Sequence, residues 1–205
     1  MDLKETYNRI AEDWHKDHQQ DDWWIEGTDR FVSLLPKGGS VLDVGCAGGI
    51  KTKYFLDRGF SVTGIDISEN LIEIAKREVT EAEYKVMSMT ELNSMDKQFD
   101  GVFAQASLLH IPKAQAADVV RMMAERTVPG GYVYLAVKKA KQEGMEEEVK
   151  EEDDYGYTYQ RFFSYFTLEE LRSYLVTAGL EISWEDAYLS GRTTWLQIVG
   201  KKPLA

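Results

Sequence analysis

Two carboxylates sit where two short apolar runs end. Asp43 follows Val41-Leu42, and Asp66 follows Val62-Thr63-Gly64-Ile65. Between them lie Gly45-Cys46-Ala47-Gly48-Gly49 and an amphipathic stretch from Ile50 to Leu56. This is the strand, turn and helix that open a nucleotide-binding α/β unit. The glycines let the backbone turn sharply and let a ligand approach it. A carboxylate about twenty residues further on, at the end of the second strand, accepts hydrogen bonds from both hydroxyls of a ribose. The turn also narrows the ligand. A dinucleotide site asks for G-x-G-x-x-G, its second glycine making room for a pyrophosphate. Here Ala47 holds that place, and Asp43 at the strand tip repels phosphate. The pattern favours a ligand with ribose, adenine and positive charge but no phosphate.

S-adenosylmethionine is such a ligand, and four motifs in order resemble the class I S-adenosylmethionine-dependent methyltransferases, especially their small single-domain members. Val41 to Gly49 looks like the family's first motif, and Asp66 in Gly-Ile-Asp-Ile-Ser looks like its ribose-binding acid. Phe99 to His110 looks like the fourth-strand motif, and Val128-Pro-Gly-Gly-Tyr-Val-Tyr like the turn into the fifth strand. The resemblance implies cofactor roles. Asp43 orients the amino-acid end of the cofactor, directly or through water. Gly45, Cys46, Ala47 and Gly48 present backbone to the methionyl part. Asp66 holds the ribose, Ile67 packs on adenine, and Ser88 and Met89 meet the adenine edge. Gln105 sits below the methionyl chain, and Tyr7 and Trp14 cover the cofactor. Relatives commonly place Asp where Ser88 stands, which puts that contact in doubt.

Methyl transfer from a sulfonium is an in-line displacement with an activated donor, so positioning does most of the work. A base is needed only for a nucleophile whose proton has a high pKa. His110, just past the fourth strand, is the candidate for that role. The alternatives are a protein methyltransferase or a non-catalytic S-adenosylmethionine-binding protein, and, less favoured, an NAD-dependent oxidoreductase. A closed aromatic chamber favours a small acceptor, and an open groove a polypeptide.

Composition sets limits. The net charge is −11 over 205 residues, which disfavours nucleic-acid substrates. The segment after the fourth strand lacks the Asn/Asp-Pro-Pro-aromatic motif of enzymes that methylate base amines. No run of about eighteen apolar residues is present, so no membrane partner is expected. Met1 to Thr6 lacks the features of a signal peptide, and one cysteine suits a reducing cytoplasm. Three scattered histidines and that cysteine offer no metal-ligand spacing. A small-molecule acceptor and a monomer or homodimer are expected.

The elements that must position these residues alternate. Helices are expected near 3–18, 22–35, 50–58, 68–80, 113–126 and 168–178. Strands are expected near 41–43, 61–65, 83–88, 99–105, 131–138, 180–188 and 193–200. Alternation implies a doubly wound parallel sheet, and the family adds the Rossmann-like seven-stranded order 3-2-1-4-5-7-6 with an antiparallel final hairpin. One domain, 1–205, is expected. Residues 1–36 form a helical lid, and 139–166 an acidic and aromatic insert over the active site. Residues 143–154 carry eight acids against one lysine and read as a solvated loop or exposed helix, the mobile outer edge of the pocket. In the aromatic run 155–166, Phe163 and Phe166 are expected in the core and others along a pocket. His15 and His18 are expected on a solvated helix face.

Overall fold

A computed structural model describes residues 2–142 and 144–204. Along the chain run α1 (Leu3–Asp17), α2 (Ile25–Val32), β1 (Ser40–Val44), α3 (Ile50–Leu56), β2 (Ser61–Asp66), α4 (Glu69–Glu78), β3 (Glu83–Val86) and β4 (Phe99–Gln105). There follow α5 (Lys113–Glu125), β5 (Thr127–Lys138), β6 (Glu147–Glu152), β7 (Tyr159–Ser164), α6 (Leu168–Thr177), β8 (Glu181–Ser190) and β9 (Thr193–Lys201). Seven strands make one sheet in the order β3-β2-β1-β4-β5-β9-β8. The pairings from β3 to β5 are parallel, and β9 runs antiparallel to both β5 and β8. This is the expected spatial order, with two strands inserted before the final hairpin.

Burial explains the order. The central strands β1 and β4 bury nearly every residue, as strands covered by helices on both faces must. β3 and β8 lie at the edges and are mostly exposed. Helix ends follow local chemistry: Asp2 accepts from the amides of Lys4 (2.9 Å) and Glu5 (3.3 Å) to start α1. Ser68 caps α4, and Thr167 with Glu170 forms the expected capping box of α6.

Three expectations change. The second helix is shorter than 22–35, because the Trp24 indole donates to the Asp21 carbonyl (2.7 Å) in a turn ahead of it. The acidic run is neither loop nor helix. Glu147–Glu152 is a strand that pairs antiparallel with Tyr159–Ser164 as a separate hairpin. Glu152 is almost fully buried there and pairs with Lys150 and Arg161, so part of the acidic charge is neutralised within the hairpin. His15 is not solvated. It is 6% exposed and lies against Gly48, where a Cβ would fall 2.1 Å from its Nδ1. Phe163 and Phe166 are core residues, as expected, and Tyr159 and Tyr165 join them.

Candidate active site

A cavity of about 530 Å³ opens above the carboxyl ends of β1, β2, β4 and β5, where ligands bind in open α/β sheets. One end is made by backbone. Gly45 adopts φ 78°, and a Cβ on it would strike Ser107 Cβ at 2.4 Å. The amides of Gly45 and Cys46 both donate to the Ile65 carbonyl, at 2.8 and 3.0 Å. Ala47 follows at φ 47°, strained for a residue with a side chain. Its amide donates to Asp66 Oδ2 (3.0 Å), and the Ser68 amide donates to Oδ1 (2.9 Å). These bonds fix the Asp66 carboxylate at the cavity wall. Burial nevertheless raises its pKa to about 6, and the amide bonds pull the other way.

The far end is made by side chains. Ala106, again left-handed at φ 54°, turns the chain out of β4 toward His110. The Tyr7 hydroxyl lies 2.8 Å from His110 Nε2, and His110 Nδ1 lies 2.8 Å from the Phe162 carbonyl. A carbonyl only accepts, so Nδ1 carries the proton and Nε2 accepts from Tyr7. Burial, with Arg161 and Lys138 nearby, drives the His110 pKa down to about 3. Held this way, His110 is a clamp between α1, the β4 end and β7; its lone pair is occupied and weakly basic. In this geometry the Nε2 lone pair accepts from Tyr7 and is not free to take a proton from an acceptor.

Of the residues given a cofactor or catalytic role from the sequence, all but Asp43 and Gly48 line this cavity. Asp43 is 1% exposed, behind the loop, and accepts from Thr52 Oγ1 (2.8 Å). Burial raises its pKa to about 6, so any influence on a ligand runs through charge or a bridging water. Gly48 is occupied by its contact with His15, not by the cavity. Ser88 reaches the wall while capping the next turn, accepting from the Thr90 amide (3.2 Å). The Cys46 thiol is buried, with its pKa pushed well up, and is inert. Sequence reasoning missed Lys138, Arg161, Trp23 and Trp195, which all line the far end. Only Arg161 left a trace: Tyr155, Tyr157, Tyr159, Arg161 and Phe163 alternate, the period of a strand.

The residues suit a nucleoside with a cationic tail. A phosphate cradle needs free loop amides, and here Gly45, Cys46 and Ala47 have theirs turned into the protein. The Gln105 amide, Ser107 hydroxyl and Trp14 Nε1 are buried without partners among the described residues, leaving polar atoms for a ligand to satisfy.

Sheet order, glycine turn and carboxylate-tipped β2 define a Rossmann-like nucleoside-binding protein. A family model described as methyltransferase domain matches residues 16–183, and the chain belongs to the class I S-adenosylmethionine-dependent methyltransferases. It is 37% identical over 117 residues to a ubiquinone biosynthesis O-methyltransferase of Dechloromonas aromatica (strain RCB), covering 55% of this chain and 49% of that protein. The protein of the same name from Bordetella bronchiseptica is 36% identical over 118 residues, covering 55% and 46%. The chain thus spans about half the length of these curated relatives. Its fold is shared with a 1,6-didemethyltoxoflavin-N1-methyltransferase of Burkholderia thailandensis, solved with that substrate and S-adenosylhomocysteine: TM-score 0.76, 18% identity, 98% of this chain and 87% of that one. A methyltransferase from Methanosarcina mazei gives TM-score 0.73 at 23% identity, covering 85% and 97%. No helix among the described residues is long and apolar enough to cross a membrane.

Proposed function

We propose that the chain is an S-adenosylmethionine-dependent methyltransferase acting on a small-molecule acceptor. The observation that carries this reading is the glycine loop with its amides turned inward beside Asp66. Such a loop repels a pyrophosphate and accepts a cation, while Asp66 has lone pairs left for ribose hydroxyls. Bound S-adenosylmethionine supplies a methyl group already activated on a sulfonium. The chain's own residues then bind and orient. Asp66 fixes the ribose, Ile67 and Met89 flank the adenine, and Gln105 offers its unmet amide to the methionyl chain. Tyr7 and Trp14, on α1, cover the site and exclude water together with the β6–β7 hairpin. The aromatic far end of the cavity takes the acceptor and aims it at the methyl in line. A cavity of this size and lining supports a small acceptor over a polypeptide. The names of the curated relatives support oxygen as the acceptor atom.

Thermal unfolding tests the cofactor. S-adenosylhomocysteine at a hundredfold over Kd adds about 2.7 kcal/mol of stability and raises Tm. NAD at the same concentration leaves it unchanged. A shift with NAD alone overturns the reading.

A further inference from the structure

The acceptor end of the cavity carries a charge imbalance, in a chain whose net charge is −11. Arg161 is accounted for: Glu152 takes its Nε (2.5 Å) and one terminal nitrogen (2.9 Å) in a two-point pair. Lys138, the last residue of β5, is not. Among the described residues no side chain hydrogen-bonds to or ion-pairs with its ammonium. That ammonium lies 4.2 Å from the Phe163 ring centre and 5.6 Å from that of Trp195. Arg161 stands 5.2 Å from the same Phe163 ring. Trp23 stacks on Trp195 at 4.1 Å and 14°, and both line the cavity. A half-buried ammonium beside a guanidinium costs free energy unless an anion joins it. Burial and the Arg161 charge lower the Lys138 pKa to about 8, with the Glu152 carboxylate opposing them. On its other side a second hollow of about 370 Å³ carries Lys139, Lys141 and Arg192. Together these cations form a local positive field that draws anions to this end.

We propose that Lys138, backed by Arg161, receives a carboxylate carried on a flat ring that lies against Phe163 and Trp195, so that the acceptors are small aromatic acids. One uncompensated ammonium balances one negative charge. A phosphate ester, at about −1.5 to −2, would ask for more free donors than Lys138 and the partly engaged Arg161 provide. This inference deepens the methyltransferase reading, whose acceptor site it describes, but its test runs separately.

The probes are matched pairs: hydroxybenzoates and indole carboxylates against their amides, plus phenyl phosphate. Each is titrated into the protein by calorimetry, with and without S-adenosylhomocysteine. Acids are expected to bind at least tenfold tighter than their amides and than phenyl phosphate, with the preference shrinking at high salt. Lys138→Gln removes the preference of acid over amide and leaves S-adenosylhomocysteine affinity as in the wild type; Lys138→Arg retains the preference. Amides binding as well as acids, no acid binding at all, or a preference that survives Lys138→Gln overturns the inference. Phenyl phosphate as the tightest ligand overturns the carboxylate assignment. An acid preference without any S-adenosylhomocysteine binding supports the anion subsite and breaks only the cofactor reading.

Discussion

The two ends of the cavity are built by different means. The end formed by β1, β2 and their loops is backbone. Its parts are Gly45, Cys46 and Ala47, whose amides close onto the Ile65 carbonyl and Asp66 over some twenty residues of chain. The acceptor end is side chains brought together from far apart. Tyr7 meets His110 across 103 positions, and His110 meets the Phe162 carbonyl across 52. A backbone-built end tolerates many side chains and demands particular turns. A side-chain-built end can change partner by single substitutions while the sheet stays the same. One half is therefore suited to a fixed cofactor, the other to a variable acceptor.

Substitutions can break that division. The largest effect is expected from Glu152→Ala. It strands the Arg161 guanidinium, 15% exposed, without its carboxylate, and breaking such a pair costs about 3–5 kcal/mol. Urea unfolding should show the loss, while the affinity for S-adenosylhomocysteine stays within a few-fold. An equal loss of cofactor affinity would mean that the two ends are one unit. Next comes Asp66→Ala. Removing a charged acceptor of two bonds, each worth about 1.5–3 kcal/mol, should weaken S-adenosylhomocysteine roughly 10- to 1,000-fold. Calorimetry should find acid binding at the other end unchanged; unaltered cofactor affinity in a folded variant contradicts the Asp66 assignment. The smallest effect is expected from Asp43→Asn, and it depends on pH. Burial raises the Asp43 pKa from 3.8 to about 6, so protonation favours the folded state. Its stabilising contribution is complete below pH 3.8 and lost as pH rises through about 6. Above that the buried charge costs roughly 2–3 kcal/mol, at about 1.36 kcal/mol per pKa unit. Asp43→Asn should raise Tm at pH 8 and lose the advantage by pH 4. A gain that ignores pH would locate its origin elsewhere.

The same division decides what could be read in the sequence. Asp66 and the glycine turn are legible because their partners are close in the chain, and the sheet order follows from alternating patterns plus the family's motifs. The hairpin was hidden by its charge. Glu147-Glu-Val-Lys-Glu-Glu reads as solvated until the diagonal neighbour Arg161 is known. Lys138 was hidden for another reason. It ends a strand correctly placed, but no periodicity tells which neighbours a terminal residue meets. His110 is legible by position, but its bond to the Tyr7 hydroxyl is not, because that partner lies 103 positions away in the chain.

Gly48 shows how a loop glycine can answer to a different neighbour from the one its motif suggests. Gly45 is held by φ 78° and by Ser107, which belong to the loop's own geometry. Gly48 needs only room, and it needs it for the His15 imidazole of α1. A side chain at this place would displace the imidazole and loosen the seat of α1. In this chain the glycine at 48 is therefore a condition for docking the N-terminal helix and not a condition for holding a nucleoside.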